Sequence, residues 1–187
     1  MATPSRRFYY KQHLVPFGEY LPLRGVLGDS LDALAVPNAD FSSGEPTQPL
    51  LEAAGYQVGT SICFEVAFAE EIRRVMPQAA LLVNVSNDGW FGDSLAPHQH
   101  LEMARLRARE TGRPMLRATN TGISAIIDHT GRVIARSPQF EEAVVTGTIT
   151  PRQGATPYVL LGNTPVVILT VLCLLVAGLS RRTDAPR

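Results

Sequence analysis

The residue with the sharpest chemical potential in this chain is Cys63. It closes the β-branched run Tyr56–Ile62 and precedes Ala67–Val75, where Ala67, Ile72 and Val75 fall near one helix face. A thiol at a strand-to-helix turn lies close to a positive helix N-terminus, and there it becomes a usable thiolate. The same local pattern also suits a buried structural cysteine, because free Cys packs as a small hydrophobe. Lys11, His13 and Glu19 lie together in an aromatic, Pro- and Gly-punctuated segment spanning residues 8–20. Each of these, taken singly, reads equally as a solvated surface residue. His98 and His100 could suggest a metal, but i,i+2 spacing points to opposing helix faces and nothing completes a cluster, so no metal is expected. The absence of a phosphate loop and of a dinucleotide fingerprint gives no reason to expect a cofactor.

These residues need a scaffold, and the chain alternates strand-like and helix-like stretches as an α/β layered domain does. Leu50–Ala53 and Tyr56 onward read as two strands around a Gly55 turn. Residues 79–85 read as a strand covered on both faces, running into a loop with the only tryptophan, Trp90. A helix is expected over His98–Thr111 and stops at Gly112 and Pro114. Two short strands flank the Asn120–Gly122 turn, another follows Gly131, and Glu142–Ile149 reads as the last strand. Residues 8–10 suggest a short aromatic strand, and Leu21–Val36 one or two short helices.

The chain of 187 residues is long enough for one domain. Lys+Arg and Asp+Glu both number 17, so bulk charge gives no reason to expect a nucleic-acid partner. The 45% hydrophobic and 18% charged content is more apolar than a typical soluble domain. Part of that excess lies in Tyr158–Ser180, 23 residues without a charge. At about 1.5 Å per residue such a helix roughly matches a bilayer core of about 30 Å. Arg181 and Arg182 follow and mark a cytoplasmic end, which places the remaining mass on the outer face. Cys173 falls in that helix and Cys63 outside it, so the two cysteines are not expected to pair. A lone thiol outside the cytoplasm is open to oxidation, which favours a chemical role for Cys63. The polar start Met1–Arg7 is no signal peptide, so either export relies on a segment outside these residues or the orientation is reversed.

Four motifs in order carry a resemblance across nearly the whole chain from about Phe8. They are Lys11 within Tyr10–Tyr20, Cys63 in Ile62–Glu65, Asn84–Phe91, and Arg113–Ser124. Together they resemble the nitrilase (carbon–nitrogen hydrolase) superfamily, and within it the branch that N-acylates bacterial lipoproteins. The resemblance implies a four-layer αββα sandwich carrying a Glu-Lys-Cys triad. Cys63 would be the nucleophile and Lys11 the catalytic lysine, stabilising the thiolate and then the oxyanion. Glu19 and Glu65 would be acidic partners near the site. Trp90 and Phe91 would lie at the acyl-chain entrance, with Asn87 and Tyr20 as further substrate-binding residues. The triad's Glu would come from an earlier strand, yet Met1–Tyr10 contains neither Glu nor Asp.

The expectation is therefore a partial nitrilase-like catalytic domain over residues 1–152 whose N-terminal part is missing. A transmembrane helix over 153–182 and a cytoplasmic tail over 183–187 follow. The family's enzyme is a multi-pass protein of the bacterial inner membrane with its catalytic domain in the periplasm. It moves an acyl chain from a phospholipid through a cysteine thioester to the N-terminal amine of a diacylglyceryl-cysteine apolipoprotein. This chain alone is expected to be inactive and poorly folded for want of the base. The alternatives are a membrane-tethered nitrilase- or amidase-type hydrolase, and a non-catalytic remnant.

Overall fold

A computed structural model describes residues 7–22 and 41–183, with side chains as far as 177. The expected helices over Leu21–Val36 fall largely outside the described residues. One six-stranded mixed sheet organises the rest, its strands lying side by side in chain order. Strand β1 (Leu51–Ala53) pairs antiparallel with β2 (Tyr56–Ile62). Then β2, β3 (Leu81–Ser86) and β4 (Met115–Thr119) run parallel. Antiparallel β5 (Ala125–Ile127) and β6 (Val133–Arg136) complete the sheet.

The parallel pairs need crossovers, and two helical segments supply them. A 3-10 turn over Cys63–Ala67 and helix α1 (Ala69–Arg74) connect β2 to β3. A 3-10 turn over Asp88–Phe91 and helix α2 (Ala96–Thr111) connect β3 to β4. Gly112 ends α2 in the left-handed region at φ 66°, where a side chain is costly, and its N–H returns to the Arg109 carbonyl at 3.3 Å.

Side chains alternate across the sheet. Leu82, Met115, Ala125 and Ile127 meet Leu101, Ala104 and Ala108 of α2 and Ile72 of α1 in the main core. Gly59 permits a close approach of β2 to its neighbours, because a Cβ there would lie 2.8 Å from Leu82 and 2.9 Å from Val75. Val58, Ala80 and Leu81 face the other way, with Leu51, Val83, Leu116 and Ile149 against them.

The structure corrects three expectations. Residues 8–10 form no strand; their backbone is held by side chains, as in the 2.9 Å bond from Tyr10 N to Gln48 Oε1. Glu142–Ile149 forms no strand either. It crosses the second face, with Ile149 on the small core and Gly147 against Ile126, so it never lies along an edge where ladder bonds are available. The expected single transmembrane helix over 153–182 is replaced by two helices. Thr156 caps α3 (Pro157–Leu161) by accepting from Val159 N at 3.1 Å, and Gly162 ends it at φ 57°. Helix α4 (Thr164–Thr183) follows. Among the described residues no helix is long and apolar enough to cross a membrane.

Candidate active site

The carboxyl ends of the three parallel strands carry Cys63, Asn87 and Asp88, and Asn120. This is the edge where open α/β sheets place ligands. Cys63 adopts φ 53°, a left-handed conformation that a non-glycine residue holds only when its surroundings impose it. Two donors grip its carbonyl oxygen: His100 Nε2 lies at 3.0 Å and Asn84 Nδ2 at 3.4 Å. Asn84 in turn donates to Ser61 Oγ at 3.0 Å.

Behind His100 stands a buried chain of polar groups. His100 Nδ1 lies 3.1 Å from Asp88 Oδ1, which also accepts from Ser86 Oγ at 2.6 Å. Arg117 Nη2 donates to Asp88 Oδ2 at 2.8 Å, and Arg117 Nη1 donates to Asn84 Oδ1. Burial alone would raise the Asp88 carboxyl, but hydrogen bonds from His100 and Ser86 and the Arg117 charge hold it below its ordinary value. Burial pushes the Arg117 guanidinium down, while the charges of Asp88 and Cys63 act in the opposite direction. Gly122 leaves room for this cluster, since a Cβ there would come within 2.8 Å of the Asp88 Cβ.

The second component comes from the N-terminal segment. Lys11 Nζ donates to both Glu19 oxygens at 2.6 Å, and Glu19 Oε2 also accepts from Val15 N at 2.8 Å. Glu65, fully buried, fastens that segment to the Cys63 turn. It accepts from Ile62 N at 2.6 Å, His13 N at 3.1 Å, Tyr9 Oη at 3.0 Å and Gln12 N. Burial first, and then the neighbouring Glu65 charge, push the Tyr9 phenol far above its ordinary value. Glu65 is thus surrounded by donors, four from two stretches of chain, and its carboxylate is fully engaged in positioning them.

The remaining expected residues lie around this edge. Trp90 and Phe91 sit on the 3-10 turn after Asp88; Trp90 is 65% exposed, and Phe91 meets the His100 ring edge-on at 6.2 Å. Asn87 is occupied locally, accepting from Gly89 N at 3.1 Å and Asn120 Nδ2 at 2.6 Å. Tyr20, partly exposed, pairs with Pro16 at the far end of the Lys11 loop. Sequence reasoning missed Asn84, Asp88, His100 and Arg117 as members of the site. A signal was present: Asn84 and Arg117 interrupt otherwise apolar strands on the face turned toward the helices.

A cysteine at the end of a parallel strand, joined through one buried carboxylate to a lysine–carboxylate pair, is a layout suited to thiol-dependent acyl transfer on an α/β sheet. The chain belongs to the carbon–nitrogen hydrolase family, whose model matches residues 6–158. It is 53% identical over 184 residues to the apolipoprotein N-acyltransferase of Methylococcus capsulatus, covering 98% of this chain and 36% of that protein. It is 52% identical over 179 residues to the Nitrosomonas europaea apolipoprotein N-acyltransferase, covering 96% of this chain and 36% of that protein. The chain therefore spans little more than a third of the length of these relatives. In three dimensions it is similar to a carbon–nitrogen hydrolase from Helicobacter pylori G27 (TM-score 0.52, 16% identity, 59% of this chain and 45% of that one). A CN-hydrolase superfamily protein from Xanthomonas campestris is also similar in fold (TM-score 0.53, 18% identity, 74% and 51%).

Proposed function

We propose that these residues carry the nucleophile of a lipoprotein N-acyltransferase. The observation that carries the reading is the Cys63 turn itself, strained at φ 53° and pinned through its carbonyl, with the Lys11 segment fastened beside it by Glu65. In the first step the Cys63 thiolate attacks an ester carbonyl of a phospholipid. The C–S bond forms, the ester C–O bond breaks, and the departing lysophospholipid oxygen takes up a proton. In the second step the α-amine of a diacylglyceryl-cysteine N-terminus attacks the thioester. An amide forms, the amine gives up its proton and the thiolate returns. Lys11, paired with Glu19, stabilises the developing oxyanion.

Proton transfer in both steps needs a general base. Glu19 is engaged by Lys11, and Glu65 by backbone N–H groups and Tyr9. We therefore assign the base to a carboxylate outside the described residues, one that would complete the nitrilase-like triad and the second sheet of the αββα sandwich. Loss of general acid–base catalysis typically costs about 10²–10⁴-fold, so turnover depends on that carboxylate being in place.

Helix α4 fits lipid-borne substrates. Val166, Ile168, Leu169, Leu172, Leu174, Leu175 and Val176 are all more than half exposed, an apolar surface on every side that calls for an apolar surrounding. We place this helix against the lipid of the inner membrane, with the catalytic edge at the periplasmic surface and Trp90 and Phe91 facing the acyl chains.

The test supplies phospholipid vesicles and a diacylglyceryl-cysteine peptide and follows both products. Lysophospholipid release matched by N-acylated peptide supports the assignment. Ammonia release from a soluble amide, without peptide acylation, would replace it with a hydrolase.

A further inference from the structure

His100 faces an acceptor from each of its two ring nitrogens. On one side the Cys63 carbonyl lies 3.0 Å from Nε2, and a carbonyl cannot donate. On the other side Asp88 Oδ1 lies 3.1 Å from Nδ1. Both oxygens of Asp88 already accept, one from Ser86 and the other from Arg117, as those of an ionised carboxylate do. A neutral imidazole has only one N–H, so its bare nitrogen would then point a lone pair at an acceptor inside a buried site. Only a ring protonated at both nitrogens satisfies the arrangement.

Charge balance leads to the same place. Asp88 is matched by Arg117, whereas the buried Glu65 carboxylate on the Cys63 turn is held only by neutral donors, so a charged His100 brings the buried charges into balance. Lys11 is already neutralised by both Glu19 oxygens. A cationic ring gripping the residue that bears the thiol also favours the ionised form of that thiol. The groups that face His100 from the packed elements are Cys63 at the end of β2, Asp88 after β3, and the Phe91 ring edge. Arg117 on β4 acts through Asp88.

We propose that His100 is held as an imidazolium, and that the Arg117–Asp88–His100 chain thereby fixes the left-handed Cys63 turn and favours the Cys63 thiolate. His100 is a positioning residue, since it acts through Cys63. The proposal rests on reading Cys63 as the nucleophile.

The experiment uses the full chain with Cys173→Ser, so that one thiol remains. Ring ¹⁵N resonances of labelled histidine report the protonation of His100 at neutral pH, assigned by their loss in His100→Gln. Iodoacetamide alkylation of Cys63 is followed at about pH 7 and about pH 10, where an ordinary thiol is respectively little and largely ionised. Two N–H signals are expected for His100. In His100→Gln, which keeps a donor for the carbonyl but carries no charge, the ratio of the pH 7 rate to the pH 10 rate should fall about tenfold, with the pH 10 rate retained. A singly protonated ring in the unmutated chain overturns the proposal even if the variant fails to fold. So does an unchanged rate ratio in His100→Gln, or an equal loss at both pH values, which would mark a purely structural role. Cys63 alkylating as an ordinary thiol in the unmutated chain would instead remove the nucleophile assignment, and the proposal with it.

Discussion

Glu65 accepts a hydrogen bond from His13 N at 3.1 Å while also holding Ile62 N at 2.6 Å, so one buried carboxylate joins the lysine-bearing segment to the cysteine turn. The two stretches are 52 residues apart in sequence. The alignment of Lys11 with Cys63 therefore depends on a residue that itself need not touch substrate.

Replacing Glu65 by Gln turns one acceptor into a donor set against donors. Leaving a buried hydrogen-bonding group without a partner costs about 1–3 kcal/mol, and a loss of that size is expected in urea unfolding. Acyl-enzyme formation should fall as well, because Lys11 loses its register. A variant with unaltered stability would mean that these bonds contribute nothing net.

Lys11→Met should slow acylation about 10²–10³-fold, the usual cost of losing one oxyanion-stabilising donor, and should also lower stability because Glu19 loses its charge partner. Lys11→Arg should recover little, because a planar guanidinium cannot reproduce the compact ammonium held between the two Glu19 oxygens. Single-turnover kinetics of all three chains decide the matter.

The acid sensitivity of the fold should trace partly to Asp88. Its carboxyl is held below the ordinary 3.8 in the folded chain. The stabilisation is therefore complete above that value and lost as pH falls through the folded one. Glu110 contributes with the opposite sign, since burial raises its carboxyl. Urea midpoints measured from neutral pH down to about 3 should fall more steeply in the unmutated chain than in Asp88→Asn. Parallel curves would remove Asp88 from the account.

Gly122→Ala should destabilise the chain by about 1–3 kcal/mol, as overpacking does, because the added methyl meets the Asp88 side chain. It should also slow Cys63 alkylation. Thermal unfolding and alkylation measured together give the answer.

The sequence patterns most readable in this chain were those with local causes. The β-branched run before Cys63, the apolar run of β3 and the Gly112 stop all signal themselves within a few residues. The Glu142–Ile149 alternation misled because periodicity reports which residues are apolar, and says nothing of whether an edge is free to pair. In the sequence His100 suggests only a metal ligand beside His98, which i,i+2 spacing and the lack of a completing cluster argue against; its partners, Asp88 and the Cys63 carbonyl, lie on other elements. Nor does the sequence reveal that Cys63 is left-handed. That conformation is imposed by donors from β3 and α2.

The measurement that bears most directly on the central claim is acylation of Cys63 by a p-nitrophenyl ester of a long-chain fatty acid. Its leaving group needs no proton, and at about pH 8.5 an ordinary thiol is half ionised, so a separate base is not required. The account predicts a burst of one p-nitrophenolate per chain, an acyl mass on the Cys63 peptide that hydroxylamine removes, and neither in Cys63→Ala. A burst that survives in Cys63→Ala, or an acyl group that resists hydroxylamine, would contradict it.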